Sequence, residues 1–278
     1  MTKDAAAEWG GEKGRFWAEH ADWFSALLAD FIPAVVEGAG FSPGERVLDV
    51  GCGGGDLSIA AATAVGPTGS VLGVDLSADE LDVARVRAVQ RGVDNVEFRE
   101  ADASTDDLGP QPVDVLTSRF GIMFFADPVA AFTHLRAAMR PGGRLALVCW
   151  QSREDNEWTT VPARAIAAVV ALAPPAPDAP PDGFAFQDPD RVRSVLDDAG
   201  WSEIELADTA RTVHLGDSAD EAVAFIQQMD YAKAALEPAS TAQRAEAIDG
   251  IRSALQSRAG AGGAIDLPGR VWLVRARA

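Results

Sequence analysis

The chain has 278 residues, with 24 Lys and Arg against 42 Asp and Glu, a formal net charge of −18, and is 47% hydrophobic and 24% charged. Those proportions suit a globular chain with a sizeable core and exclude collagen-like or wholly disordered organisation. The acidic balance opposes nucleic acid as a partner and favours a small or cationic ligand. Cys52 and Cys149 are too few for a disulfide framework or a cysteine-rich metal site.

The opening MTKDAAAEWGGEK carries acidic residues before any apolar stretch, unlike a signal peptide, and no run of about 18 apolar residues follows. A cytoplasmic chain with no membrane span is expected. From about residue 12 to 40 the pattern predicts a helical arm in which Phe16, His20, Trp23, Phe24 and Leu27 share one face. Short β-branched runs then alternate with helical stretches up to residue 150, the rhythm of βαβ units on a parallel sheet. Arg46–Val50 and Val71–Asp75 read as strands. Ser77 stands three residues before Glu80 as a capping box, and Leu81, Ala84, Ala88 and Val89 follow at helical spacing. The basic run Arg85 to Arg91 reads as a solvated helix face. Further strands are expected at Val96–Glu100, Val113–Ser118 and Arg144–Trp150. Between the last two, Asp127-Pro128 opens a helix whose inward residues are Ala131, Phe132, Leu135 and Met139.

After Trp150 the rhythm breaks. Asn156 to Leu172 is an Ala-rich helical pattern, and PPAPDAPPDG, Pro174 to Gly183, reads as a stiff extended linker. Asp188-Pro189 opens a helix that Gly200 is placed to end. A strand follows at Glu203–Leu206, then two helices opened by Ser218 with Glu221 and Ser240 with Gln243, then a closing strand at Val271–Val274. The whole reads as a doubly wound α/β core over 41–278 with a helical arm over 1–40. Insertions at about 151–187 and 217–260 are candidates, with the arm, for a lid over a substrate site. Ligands of such sheets bind beyond the carboxyl ends of the strands, at the switch point.

The most informative stretch is VLDVGCGGGD, Val47 to Asp56. A strand ends in glycines and a helix begins, so backbone can approach a ligand and helix N–H groups face it. A dinucleotide fingerprint would want glycine at 51, 53 and 56, but position 56 is Asp, which opposes a pyrophosphate on the helix N-terminus. Asp49 precedes the loop, Asp75 ends the second strand, Glu100-Ala101-Asp102-Ala103 ends the third, and Met139-Arg140-Pro141-Gly142-Gly143-Arg144 precedes the fifth. Any one acid alone reads equally as a loop cap. All of these features together, in order and spacing over 44–150, resemble class I S-adenosylmethionine-dependent methyltransferases. The resemblance is nearest to the ubiquinone and menaquinone type and their small-molecule relatives, which share the form SRFGIMFF, Ser118 to Phe125.

That resemblance implies a Rossmann-like seven-stranded sheet with the last strand antiparallel, S-adenosylmethionine as cofactor, S-adenosylhomocysteine as product, and no metal. It implies that Gly51, Cys52 and Gly53 lie against the methionine part, with Asp49 and Ser118 in the same site. Asp75 would accept the ribose hydroxyls with Leu76 beside the adenine. Asp102 would accept from the adenine amino group, and the Ala103 N–H would meet the ring. One departure is the stretch ASTDDLGPQPVD, residues 103–114, where relatives carry an apolar-aromatic segment ending in Phe-Asp.

Methyl transfer from a sulfonium is an in-line displacement, so positioning and exclusion of water supply most of the acceleration, and a base is required only for some acceptors. His20 is the candidate base, although a histidine on an apolar face reads equally as a packed one. His134 and His214 read as structural or exposed. Trp17, Arg119, Phe120, Met123, Phe124 and Trp150 are the candidate acceptor pocket, an aromatic, Met-bearing surface with one cation, which Trp158 could help close. Cys52 reads as a small filler, and Phe125 as sheet packing. The expected reaction is methylation of a small, aromatic or apolar metabolite at oxygen, nitrogen or carbon. The alternatives are a non-methylating reaction on the same fold, such as a cyclisation, and a nicotinamide-dependent oxidoreductase. The expected partners are the small-molecule acceptor and a second copy in a homodimer.

Overall fold

The structure is a computed structural model and describes residues 9–172 and 181–278. Most of the predicted Pro174–Gly183 linker lies outside the described residues. The chain begins with three short helices, α1 (Glu12–Glu19), α2 (Ala21–Leu28) and α3 (Phe31–Ala39). The core follows as β1 (Arg46–Val50), α4 (Asp56–Val65), β2 (Ser70–Asp75), α5 (Ala78–Gln90), β3 (Val96–Glu100), β4 (Val113–Arg119), α6 (Pro128–Ala137) and β5 (Met139–Trp150). Then come α7 (Glu157–Ala167), α8 (Pro189–Asp198), β6 (Ser202–Gly216), α9 (Ala219–Ile226), α10 (Asp230–Leu236), α11 (Thr241–Gln256) and β7 (Ile265–Arg277).

The seven strands form one sheet in the order β3-β2-β1-β4-β5-β7-β6. β1 to β5 are parallel, and β7 runs antiparallel between β5 and β6. Strand order reverses at β1, whose neighbours are β2 and β4, so the loops leaving the carboxyl ends of β1 and β4 diverge and open a crevice there. Register aligns the ends that matter: Val50 pairs with Val74, Asp49 with Thr117, and Asp75 with Glu100. Phe31, Leu48, Leu116, Phe132, Leu145 and Leu147 are fully buried between the sheet and its helices.

Local chemistry explains most boundaries. The side chains of Ser77, Asp127, Asp188, Ser218 and Ser240 each accept a backbone N–H of the helix they open, and Pro128 and Pro189 occupy the first turn. Gly200, at φ 82°, stops the chain after α8. Elsewhere tertiary pairing overrides local pattern. β6 and β7 pair along almost their whole length, from Ser202 opposite Arg277 to Gly216 opposite Ile265. Both are therefore much longer than their apolar cores predicted. β5 starts at Met139 rather than Arg144, and α7 ends at Ala167 rather than Leu172. Helix α10 was not predicted, because Met229 before it makes no side-chain cap. The arm is not one helix. It breaks at His20 (φ −112°, ψ 21°), so the single face running from Phe16 through His20 to Leu27 does not exist as such.

Arg144 at the start of the fifth-strand apolar run fastens the arm to the core. Its guanidinium donates to the carbonyls of Ala39 and Gly40 and forms a two-pronged pair with Glu45, at 2.7 Å on each oxygen. That pair holds the Glu45 carboxyl below its ordinary value of 4.5. A carboxylate with a lowered folded pKa stabilises the fold above the unfolded value and ceases to do so as pH falls through the folded one. Arg144→Met is therefore expected to lower unfolding free energy by about 1.5–3 kcal/mol at neutral pH. In denaturant titrations from about pH 6 to about pH 3 the gap from wild type should narrow as Glu45 protonates.

Candidate active site

The loop after β1 turns on glycines in the left-handed region, Gly51 at φ 65°, Gly53 at 49° and Gly55 at 81°. Gly51 also lies against the turn after β4: a Cβ built on Gly51 would fall 2.6 Å from the Cα of Gly121. The Gly51 and Cys52 N–H groups donate to the Val74 carbonyl, and the Gly53 N–H donates to Asp75 Oδ2 at 2.9 Å. The other oxygen of Asp75 accepts the Ser77 N–H at 2.9 Å. Asp75 thus clasps the loop to the end of β2, and each oxygen retains a lone pair for a further donor. Burial raises its pKa against the backbone N–H groups that lower it. Asp49 lies deeper, 1% exposed, accepting the Ser58 hydroxyl at 2.6 Å, and burial pushes it up to about 7. Burial and the neighbouring Asp75 and Asp49 raise the Cys52 thiol well above its usual range, so it is no nucleophile.

The predicted capping box at α5 is half made. Ser77 accepts the Glu80 N–H, but the return bond to the Ser77 N–H comes from Asp75, and the Glu80 carboxyl turns under the glycine loop instead. It is 6% exposed, and a Cβ built on Gly53 would lie 3.0 Å from its Oε1. Burial and the charge of Asp75 push Glu80 up to about 8, against the pull of Arg119 and Arg87.

Asp56, the first residue of α4, is also buried, and its carboxylate gathers Arg87 at 3.3 Å, Arg91 at 3.2 Å, Arg119 at 3.9 Å and the hydroxyl of Ser25 on α2. Arg87 also donates to the Gly54 carbonyl at 3.2 Å and to Asp22 on α2 at 2.7 Å. Arg119 donates to the Leu28 carbonyl at 2.9 Å. The arm is hooked to the loop by all three of Ser25, Asp22 and Leu28. Two expectations change here: Arg87 is a buried member of this network rather than part of a solvated helix face, and Arg119 is a clamp rather than the cation of an acceptor pocket.

Other predicted residues fall into groups. Asp102, half-buried at the end of β3, accepts the N–H and hydroxyl of Ser104 on Oδ1, and Ala103 beside it is buried. Leu76 is half-buried between Asp75 and Ser77. Ser118 is fully buried, donating to the Val50 carbonyl at 2.7 Å and accepting the Gly121 N–H at 3.2 Å. It joins the two loop ends rather than facing a ligand. Phe120 has φ 66°, an outlier for an aromatic residue. Its ring stacks on Trp150 at 4.2 Å, with Phe31 edge-on to both. Met123 is core. Trp17 stacks on Phe24 at 3.5 Å and meets Trp9, which touches Phe124, so these belong to a second aromatic group on the arm. In α1, Gly14 sits on Ser77, where a Cβ would fall 2.4 Å from Oγ. The arm therefore lies across the Asp75–Ser77 end of the crevice.

His20 is exposed at the α1–α2 junction, with Nδ1 2.8 Å from the Phe16 carbonyl and its ring on that of Phe16. No described contact joins it to the glycine loop. His134 meets the Asp106 carbonyl, and His214 meets Asp266. Among the described residues no group of three or more His, Cys, Asp or Glu could hold a metal ion, and no helix is long and apolar enough to cross a membrane.

A family model described as a methyltransferase domain matches residues 41–200. A nocamycin O-methyltransferase of Saccharothrix syringae is 32% identical over 170 residues, 58% of this chain and 61% of that protein. A ubiquinone/menaquinone biosynthesis C-methyltransferase of Ectopseudomonas mendocina is 38% identical over 114 residues, 41% of this chain and 44% of that protein. The chain spans about half the length of the curated relatives it matches. The crystal structure of a methyltransferase-like protein from Bacillus halodurans shares the fold with a TM-score of 0.58 and 21% identity, over 88% of this chain and 97% of that one.

Removing the carboxylate of Asp56 would leave Arg87 and Arg119 buried without their shared counter-charge. Asp56→Ala is expected to lower stability by about 3–5 kcal/mol in denaturant unfolding. A loss below about 1 kcal/mol would show that the network behaves as a solvent-screened surface cluster.

Proposed function

The chain belongs to the class I S-adenosylmethionine-dependent methyltransferases, and we propose that it transfers a methyl group from that cofactor to a small, apolar or aromatic metabolite. The observation that carries this reading is the clasp between the Gly53 N–H and the Asp75 carboxylate, beside a left-handed glycine loop at the switch point of the sheet.

The residues present fit the cofactor. When bound, S-adenosylmethionine supplies an electrophilic methyl group on a sulfonium and leaves as S-adenosylhomocysteine. Gly51, Cys52 and Gly53 present backbone to its methionine part, where side chains would block approach. Asp75 accepts the ribose hydroxyls through lone pairs that the Gly53 and Ser77 N–H groups do not use. Leu76 lies along the adenine, the Ala103 N–H meets the ring, and the Asp102 oxygen not bonded to Ser104 accepts the amino group.

The arm of residues 12–40 closes over this site and excludes water, and helices α7, α9, α10 and α11 complete the cap. Phe120, stacked on Trp150, offers the acceptor a flat apolar wall, and the dry setting lets position do most of the catalytic work. His20, exposed and turned to its own helix, is not retained as the base. The acceptor therefore brings a lone pair of its own or enters already deprotonated. Its similarity to a nocamycin O-methyltransferase and to a ubiquinone/menaquinone biosynthesis C-methyltransferase supports a small-molecule acceptor.

The test is turnover of S-adenosylmethionine to S-adenosylhomocysteine with a panel of phenolic, enolic and amine acceptors, alongside calorimetry. Asp75→Ala is expected to weaken S-adenosylhomocysteine binding about 10- to 150-fold, the loss of charged hydrogen bonds worth about 1.5–3 kcal/mol. Gly53→Val should abolish binding and lower stability, since a branched residue is strained at φ 49°. Unchanged affinity in Asp75→Ala would remove that residue from the site, and acceptor conversion without S-adenosylhomocysteine would point to a non-methylating reaction.

A further inference from the structure

We propose that Glu80 is a second carboxyl acceptor for the cofactor's ribose, working beside Asp75; this rests on the methyltransferase reading above. Glu80 is 94% removed from solvent by its 6% exposure, yet among the described residues no hydrogen bond reaches its side chain. Its oxygens are not among the wholly buried unpartnered atoms of the described residues, which are Nε and Nη2 of Arg99, so the carboxyl keeps contact with solvent beside Gly53, where a ligand donor could meet it. The other inward residues of α5 are Leu81, Ala84, Arg87 and Ala88, and of these only Arg87 is charged.

Two structural roles can be set aside from the bonding pattern. Glu80 does not cap α5, because Asp75 takes the Ser77 N–H that a capping-box glutamate would accept. Nor is it the direct counter-ion of the nearby guanidiniums, because Arg87 pairs with Asp22 and Asp56, and Arg119 with Asp56 and the Leu28 carbonyl. What remains is where the carboxyl points: at Gly53, whose N–H is already held by Asp75. The two acids therefore flank one glycine, one at the end of β2 and the other one turn into the helix that follows.

A ribose presents two adjacent hydroxyl donors, and the two acids present adjacent acceptors. Asp75 enters with one lone pair occupied on each oxygen, whereas Glu80 enters with none occupied. The pair can hold one proton between them, so that the diol meets one carboxylate and one carboxylic acid instead of two repelling charges. The raised pKa of Glu80, caused by burial and by Asp75, agrees with that arrangement. A diol-matched pair reads the sugar of the nucleoside, which a hydrophobic residue at position 80 could not do.

The experiment compares wild type, Glu80→Met and Glu80→Gln for two quantities: thermal stability without ligand, and affinity for S-adenosylhomocysteine and for its 2′,3′-dideoxy analogue. Wild type should prefer the ribose form. Glu80→Met should hold the melting temperature, because the acid it removes accepts no hydrogen bond from the described residues. It should also weaken S-adenosylhomocysteine about tenfold or more while leaving the dideoxy analogue unchanged. Glu80→Gln, closer in shape, should fold as wild type and show a smaller loss confined to the ribose form. The proposal is overturned if either variant binds both ligands as wild type does, if it weakens both equally, or if it loses stability while affinity per folded molecule is kept. Wild type that binds no S-adenosylhomocysteine would instead overturn the methyltransferase reading itself, so the two failures are separate.

Discussion

At the first turn of α4 a carboxylate almost wholly withdrawn from water is met by Arg87 of α5 and Arg91 just past its end, Arg119 of β4, and Ser25 of the arm. An isolated ion at such a depth would be untenable, and three guanidiniums make it tenable. Its place at a helix N-terminus adds the favourable end of the helix dipole. Because the same guanidiniums reach the Gly54 carbonyl, Asp22 and the Leu28 carbonyl, the conformation of the glycine loop and the placement of the arm are set together. A glycine at position 56 would leave Arg87, Arg91 and Arg119 without this acceptor, and the arm without one of its anchors.

This coupling bears on how a ligand enters. Gly14 on Ser77 places α1 over the end of β2, and Trp17, Phe24, Trp23 and Phe225 stack behind it. A nucleoside reaching Asp75 must displace that contact. The links that hold the arm near the loop are polar, and one of them is open: Asp22, on the arm side of the Arg87 pair, is fully exposed to solvent. Such links open at lower free energy than a packed aromatic cluster does. The stack of Trp23 on Phe225 ties α2 to α9, while α3 is fixed by Arg144 and by the buried Phe31.

Much of this was legible in the sequence. Five β-branched runs gave the parallel strands, and the order of Asp49, the glycines, Asp75 and Asp102 pointed to the crevice before any coordinates. What local pattern could not convey was pairing at a distance. The polar faces of β6 and β7 hid strands that exist because each has the other to bond. The α1–α2 break at His20 has no proline or glycine to announce it, so a 3.6-residue period ran through it and put His20 on an apolar face. Arg87 sits in a run of arginines whose neighbour Arg91 is half in water, and only a buried partner 31 residues away distinguishes it. Asp56 carried the available hint, an acid where a dinucleotide site would want glycine. Glu80 matched a capping box so well that its second role was masked.

The most direct measurement is hydrogen exchange, resolved by peptide, in wild type and Asp56→Asn, without ligand. The amide replacement keeps the shape and removes the charge. If the carboxylate holds the arm to the loop, exchange should accelerate by an order of magnitude or more across residues 12–28 and 51–55, and by more there than in β1, β4 and β5. Unaltered exchange in the arm, or equal loosening of the whole sheet, would contradict the account.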